Sequence, residues 1–127
     1  MKAQFICYPK CTTCQKAKKF LLAHNIDFSE RHIVEENPSK EELLAWMDRF
    51  SGEPKKFFNT SGMAYRELGL KDKVKAMTRE EMADILSQNG MLVKRPILLH
   101  DQGILIGFKE VDWEQVLLYW EINVTKR

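Results

Sequence analysis

AQFICYPKCTTCQKAKKFLLAHN, residues 3–25, changes its hydrophobic period in the middle, and that change decides the fold. Over residues 3–8 the side chains alternate. Ala3, Phe5 and Cys7 fall on one face of an extended segment and Gln4, Ile6 and Tyr8 on the other, because successive Cβ atoms of a strand point to opposite sides. Pro9 and Lys10 interrupt the alternation. From Thr12 to about Asn25 the spacing is helical: Ala17, Phe20, Leu21 and His24 share a face, and Lys16, Lys18 and Lys19 mostly point outward. Ile26 to Val34 reads as a second strand. Strand, helix and strand in this span make a βαβ unit, with parallel strands and a right-handed crossover.

Further along, the chain turns helical. Ser39 and Glu42 form a capping box ahead of Leu43, Leu44 and Met47. Thr78 and Glu81 form another ahead of Met82, Ile85 and Leu86, with Gly90 ending that helix. Met63 to Leu68 reads as a short helix stopped by Gly69. Strand patterning returns at Ile97 to His100 and Ile104 to Phe108, a hairpin turning at Asp101-Gln102-Gly103. A last helix begins near Asp112, with Val116, Leu117 and Trp120 facing inward. The fold class is α/β: a mixed four-stranded sheet built from a βαβ half and a ββα half. Residues 37–92, a helical insertion of about 55 residues, separate the halves. One domain over 1–127 is expected, its sheet core drawn from 1–36 and 93–127 and joined at Val93 to Pro96.

The chain has 127 residues, 44% hydrophobic and 30% charged, which excludes a disordered chain and a disulfide-stapled miniprotein. Net charge is 20 − 18 = +2. With so little excess of cations, direct nucleic-acid binding through phosphate neutralisation is not expected. No apolar run approaches the roughly 20 residues of a membrane span, and the N-terminus has no signal-peptide core, so a cytoplasmic protein without a membrane partner is expected. Three cysteines in a reducing compartment are core residues, metal ligands or redox groups.

Their spacing favours redox chemistry. Cys11-Thr12-Thr13-Cys14 follows the first strand and opens a helix, and a C-x-x-C at that junction of a βαβ unit is a thioredoxin-like signal. Residues three apart on a helical turn have Cα atoms about 5–5.5 Å apart, inside the disulfide range. The free N–H groups of the helix start, at Thr12 and Thr13, and the cation of Lys10 favour a thiolate at Cys11. Cys11 is then the exposed attacking sulfur. Cys14, turned back toward the body of the protein, resolves. The alternatives are two inert cysteines or a metal site. Zinc lacks a second cysteine or histidine pair. Cys7-x3-Cys11-x2-Cys14 matches an iron–sulfur string, but Cys7 lies in a strand, reads as facing away from the loop, and is taken as a small core residue. No metal and no cofactor are expected.

Lys94-Arg95-Pro96-Ile97 precedes the hairpin, where a proline can enter a strand at its first position. In thioredoxin-like proteins this proline is cis and faces the cysteine loop, so Pro96 is expected to be a structural cis-proline. Arg95 would then point at Cys11, lower its pKa and offer a fork to an oxyanion; the alternative is a solvated arginine at a helix–strand joint. His24, His32 and His100 read as surface or packing residues, and Trp46, Trp113 and Trp120 as core. Lys55-Lys56-Phe57-Phe58 reads as a helix end anchored by its phenylalanines.

With these placed, residues 3–120 resemble the arsenate reductase (ArsC)/Spx family of thioredoxin-like proteins, through YPKCTTCQKAKKFL, NTSGMAYRELGL, VKRPILL and GFKEVDWEQVL. The resemblance implies two activities. One is a reductase whose nucleophile matches Cys11, coupled to thioredoxin or to glutaredoxin and glutathione. The other is an Spx-type redox switch that binds the α subunit of RNA polymerase. Arg95 matches an arginine shared by both branches. Arsenate reductases usually carry serine at the place of Cys14, and arginines near Asn59-Thr60-Ser61-Gly62 and near Gly107 and Phe108 that are missing here. A disulfide reductase is therefore the first expectation, and the transcription regulator the second.

Overall fold

The computed structural model describes residues 2–101 and 103–118. Its strands are β1 (Lys2–Cys7), β2 (Asp27–His32), β3 (Ile97–His100) and β4 (Gly103–Ile106). Its α-helices are α1 (Thr12–Ala23), α2 (Lys40–Arg49), α3 (Met63–Glu67), α4 (Leu70–Lys73), α5 (Arg79–Leu86) and α6 (Glu110–Trp113). The strands form one sheet in the order β2-β1-β3-β4. β1 and β2 run parallel, with Cys7 opposite His32; β3 is antiparallel to both β1 and β4. The βαβ and ββα halves thus share a mixed, thioredoxin-like sheet, with α2–α5 between β2 and β3 in sequence. Among the described residues no helix is long and apolar enough to cross a membrane.

Alternation along β1 sorts the core into two layers. Ala3, Phe5 and Cys7 face α1, packing with Cys14, Ala17, Phe20, Leu21, Leu98, Trp113 and Leu117. Ile6 faces the other way, with Ile97 and Ile104, onto the helices of residues 40–92. Each fully buried apolar side chain of this size contributes about 1.5–3 kcal/mol. Trp113 locks the first layer: it is buried, its Nε1 donates to the Gly107 carbonyl at 3.0 Å, and its ring meets Phe20 and Phe108 edge-on.

Both capping boxes form, at Ser39 with Glu42 and at Thr78 with Glu81. α1 stops at Ala23, where Asn25 takes φ 55° and the Ile26 N–H returns to the Leu21 carbonyl at 3.0 Å. β4 stops at Ile106, earlier than the alternation suggests, because Gly107 turns the chain at φ 72° and gives its N–H to the Pro96 carbonyl at 2.8 Å. The last helix begins at Glu110 and runs on into a π turn over Glu114–Leu118. Trp120 and Gln102 lie outside the described residues. Lys55 and Lys56 belong to a 3₁₀ turn, Pro54–Phe57, and Phe57 at its end and Phe58 just beyond it are buried.

Along the outer margin of the sheet, β2 exposes Asp27, Ser29 and Glu30 and leaves Arg31 and His32 half-buried. Glu30 pairs with Lys18 of α1 at 2.6 Å.

Candidate functional site

The loop after β1 brings the sulfurs to one end of the sheet. The Cys11 N–H donates to the Tyr8 carbonyl at 2.9 Å, which closes a turn over Pro9 and Lys10. Cys11 is the N-cap of α1 and keeps extended torsions, φ −80° and ψ 124°. Its sulfur lies by the first N–H groups of the helix, those of Thr13 and Cys14. Cys11 is half-buried, whereas Cys14 is 2% exposed on the inner face of the first turn. The Tyr8 N–H donates to Cys14 Sγ at 3.3 Å and fixes it over the end of β1. All three cysteines are unbridged thiols.

The electrostatics separate Cys11 from Cys14. Burial pushes the Cys11 thiol up, but the N–H and thiol of Cys14, the N–H of Thr13 and the Arg95 guanidinium together outweigh it and hold its pKa below the ordinary value. The Cys14 thiol is pushed strongly up, first by hydrogen bonding with Cys7 and then by burial. The two thiols are thus biased in opposite directions, Cys11 toward the thiolate and Cys14 toward the protonated form. The helix start assists because its first N–H groups have no partner within the helix. Lys10 and Thr12 are exposed on the rim, and Thr13 is half-buried beside the thiols.

Arg95 reaches the site from the loop before β3. The Arg95–Pro96 peptide bond is cis, and Pro96 is buried. The half-buried guanidinium donates to the Met91 carbonyl at 3.3 Å and lies over the Tyr8 ring, 5.3 Å from its centroid. Strand-like contacts from the helical segment hold this loop. The Lys94 N–H donates to Phe57 and the Asn59 N–H to Leu92, both at 2.7 Å, and Phe58 bridges to Val93.

Two features escape the pattern of residue types. Tyr8 carries the site from both ends, its amide on Cys14 and its ring under Arg95. Cys7 does not face away from the cysteine loop. It is a buried core residue, as its strand position implies, but its thiol meets that of Cys14. The signal was available: Cys14, Ala17 and Leu21 form one stripe of α1, and that stripe covers the face of β1 that carries Cys7.

The histidines serve the frame. His32 Nδ1 accepts the N–H groups of Val34 and Glu35, both at 3.1 Å, and His32 meets Tyr8 edge-on. His24 lies against Phe20, and His100 is buried at the opposite end of the sheet. Asn59 and Ser61 bond to each other and bring no cation, and the Ser61 carbonyl accepts from Arg66. Among the described residues no cluster of three His, Cys, Asp or Glu side chains is arranged for a metal ion.

The ArsC family model matches residues 7–116. An ArsC-family-related protein from Bacteroides fragilis, known from its crystal structure, is 50% identical and superposes with a TM-score of 0.85, covering 91% of this chain and 98% of that one. The uncharacterized protein YusI of Bacillus subtilis is 48% identical over 115 residues, 91% of this chain and 98% of YusI. The regulatory protein MgsR of the same organism is 34% identical over 104 residues, 82% of this chain and 81% of MgsR.

Proposed function

The chain belongs to the ArsC family, and we propose that it is a cytoplasmic thiol–disulfide reductase of that family, with Cys11 as nucleophile and Cys14 as resolving thiol. The Cys11 thiolate attacks one sulfur of a substrate disulfide; a mixed disulfide forms and the first substrate thiolate leaves. Cys14 then attacks the Cys11 sulfur, its proton passes to the departing second thiolate, and a Cys11–Cys14 disulfide remains. The substrate has gained two electrons as two thiols. Thioredoxin, or glutaredoxin with glutathione, returns the protein to its dithiol form. Arg95 stabilises Cys11 as attacker and as leaving group, and the Thr13 amide adds to it. Lys10 and Thr12 border the approach of the substrate, and the Pro96 loop and the segment 37–92 form the opposite wall within a single domain.

One observation carries the reading: a half-buried thiol with a lowered pKa is in hydrogen-bonding contact with a buried thiol that keeps its proton. The tests are turnover and trapping. Reduction of a small disulfide should vanish in Cys11→Ser, and Cys14→Ser should retain a mixed disulfide on Cys11. Full turnover by Cys11→Ser would overturn the assignment.

Arsenate fits less well. The only guanidinium among the residues matched to the family's oxyanion arginines is Arg95, because Asn59 to Gly62, Gly107 and Phe108 supply none. At about 1.5–3 kcal/mol per charged hydrogen bond, two fewer such partners weaken oxyanion binding by a factor of about 10² or more.

The likeness to MgsR supports a second reading, a redox-dependent regulator that binds the RNA polymerase α subunit. Pull-down with purified α subunit separates the two. A regulator binds with an affinity that changes when Cys11 and Cys14 are oxidised, whereas a reductase shows no such binding.

A further inference from the structure

We propose that Cys7 is a third redox thiol of this site, which takes over the disulfide from Cys11 to give a buried Cys7–Cys14 bond. The proposal rests on the reading of Cys11 and Cys14 as a redox pair. Cys7 ends β1, Cys14 sits one turn into α1, and both are nearly closed to solvent, at 5% and 2% exposure. The Tyr8 amide, next to Cys7 in the chain, holds Cys14 Sγ at 3.3 Å above the strand end. In that position the Cys14 sulfur is in hydrogen-bonding contact with both the Cys7 and the Cys11 thiols, and the three share one buried cluster. A resolving sulfur placed between two thiols can exchange one partner for the other with small side-chain rotations.

The step balances without a further oxidant. Cys7 attacks Cys14 Sγ of the Cys11–Cys14 disulfide. The Cys7–Cys14 bond forms, the Cys11–Cys14 bond breaks, and Cys11 leaves with the electron pair as a thiolate; the Cys7 proton passes to solvent. Exchange runs toward the better leaving group, and Cys11 is the sulfur that the helix start and Arg95 hold as an anion.

The consequence is a change of chemistry. Once Cys14 is bonded to Cys7, Cys11 has no resolving partner. It can still attack a second disulfide, but the mixed disulfide it forms then persists. Oxidation would convert a dithiol reductase into a monothiol that stays bonded to its partner.

Trypsin makes the test direct, because Cys7 lies on residues 3–10 while Cys11 and Cys14 share residues 11–16. Wild-type protein is treated with glutathione disulfide, quenched in acid, alkylated and digested without reduction. Mass spectrometry should find peptide 3–10 joined to 11–16 through Cys14, with glutathione on Cys11. In Cys7→Ser the joined peptide is lost and the glutathione adduct falls to background, because Cys14 resolves it. A wild-type digest with only the loop disulfide inside 11–16 and alkylated Cys7 overturns the inference and leaves the reductase reading intact. A link from Cys7 to Cys11 overturns the exchange onto Cys14. Absence of any Cys11–Cys14 disulfide, in wild type and in Cys7→Ser alike, overturns the reductase reading as well.

Discussion

Glu42 joins the edge of the sheet to α2, and its charge should set part of the acid limit of the fold. Arg31 Nη1 donates to Oε2 at 2.6 Å and Arg31 Nη2 to Oε1 at 2.9 Å, and the Ser39 N–H reaches Oε1 at 3.1 Å. Arg31 first, then the Ser39 N–H, hold the carboxyl down to about 2 from a reference of 4.5. A difference of about 2.5 units at about 1.36 kcal/mol per unit sets a ceiling of about 3.4 kcal/mol. The side chain is 40% exposed, so water screens the pair and about 1–2 kcal/mol is expected to survive. Because the folded pKa lies below the unfolded one, this contribution is full above pH 4.5 and is lost as pH falls toward 2. Glu42→Gln should therefore lower the unfolding free energy in urea by about 1–2 kcal/mol at neutral pH. The gap between variant and wild type should then narrow through that acid window and close at its lower end. Equal stability at neutral pH, or a gap that does not change with pH, would refute the reasoning.

Three further outcomes follow from the same structure. Alkylation of Cys11 by a bimane reagent should reach half its maximal rate at a lower pH than free cysteine does, and Arg95→Met should move that midpoint upward; a profile unmoved by the substitution would remove Arg95 from the site. Trp113→Ala should cost about 3–5 kcal/mol in denaturant unfolding, since it empties the layer between α1 and β3 and strips the Gly107 carbonyl of its donor. Gly90→Ala should cost on the order of 3 kcal/mol, because its Cβ would stand 2.2 Å from the Ile33 carbonyl oxygen, a backbone atom without room to yield. A thermal melt within a degree or two of wild type would show that the backbone there moves more freely than its packing implies.

The parts of the fold legible in the sequence were those set by local chemistry. The change of period at Pro9 located the end of β1 and the start of α1, and both capping boxes appear where Ser39 and Thr78 precede a glutamate by three residues. The pairs that close helix starts are only three residues apart, so they survive any tertiary arrangement. The 3₁₀ turn at Gly90–Leu92 left no comparable trace, since it is held by a contact distant in sequence, the Asn59 N–H on the Leu92 carbonyl. At the site, the residue types of the C-x-x-C and the Arg-Pro pair were visible. The support from Tyr8 was not, because one of its roles belongs to a backbone amide and the other to a ring whose partner lies far along the chain. Alternation puts Cys7 on one face of β1 but does not say which part of a helix crosses that face, and in the structure it is the turn of α1 that carries Cys14.

The polar margin along β2 has a bearing on solubility. An outermost strand presents backbone groups that another polypeptide could extend, and charged side chains spaced along it oppose that pairing. Asp27 and Glu30 are anionic and Arg31 cationic there, and Lys18 pairs with Glu30 from the helix. A foreign strand docking on this rim would have to strip water from each of those ions. Partners are thereby steered away from extending the sheet on the β2 side.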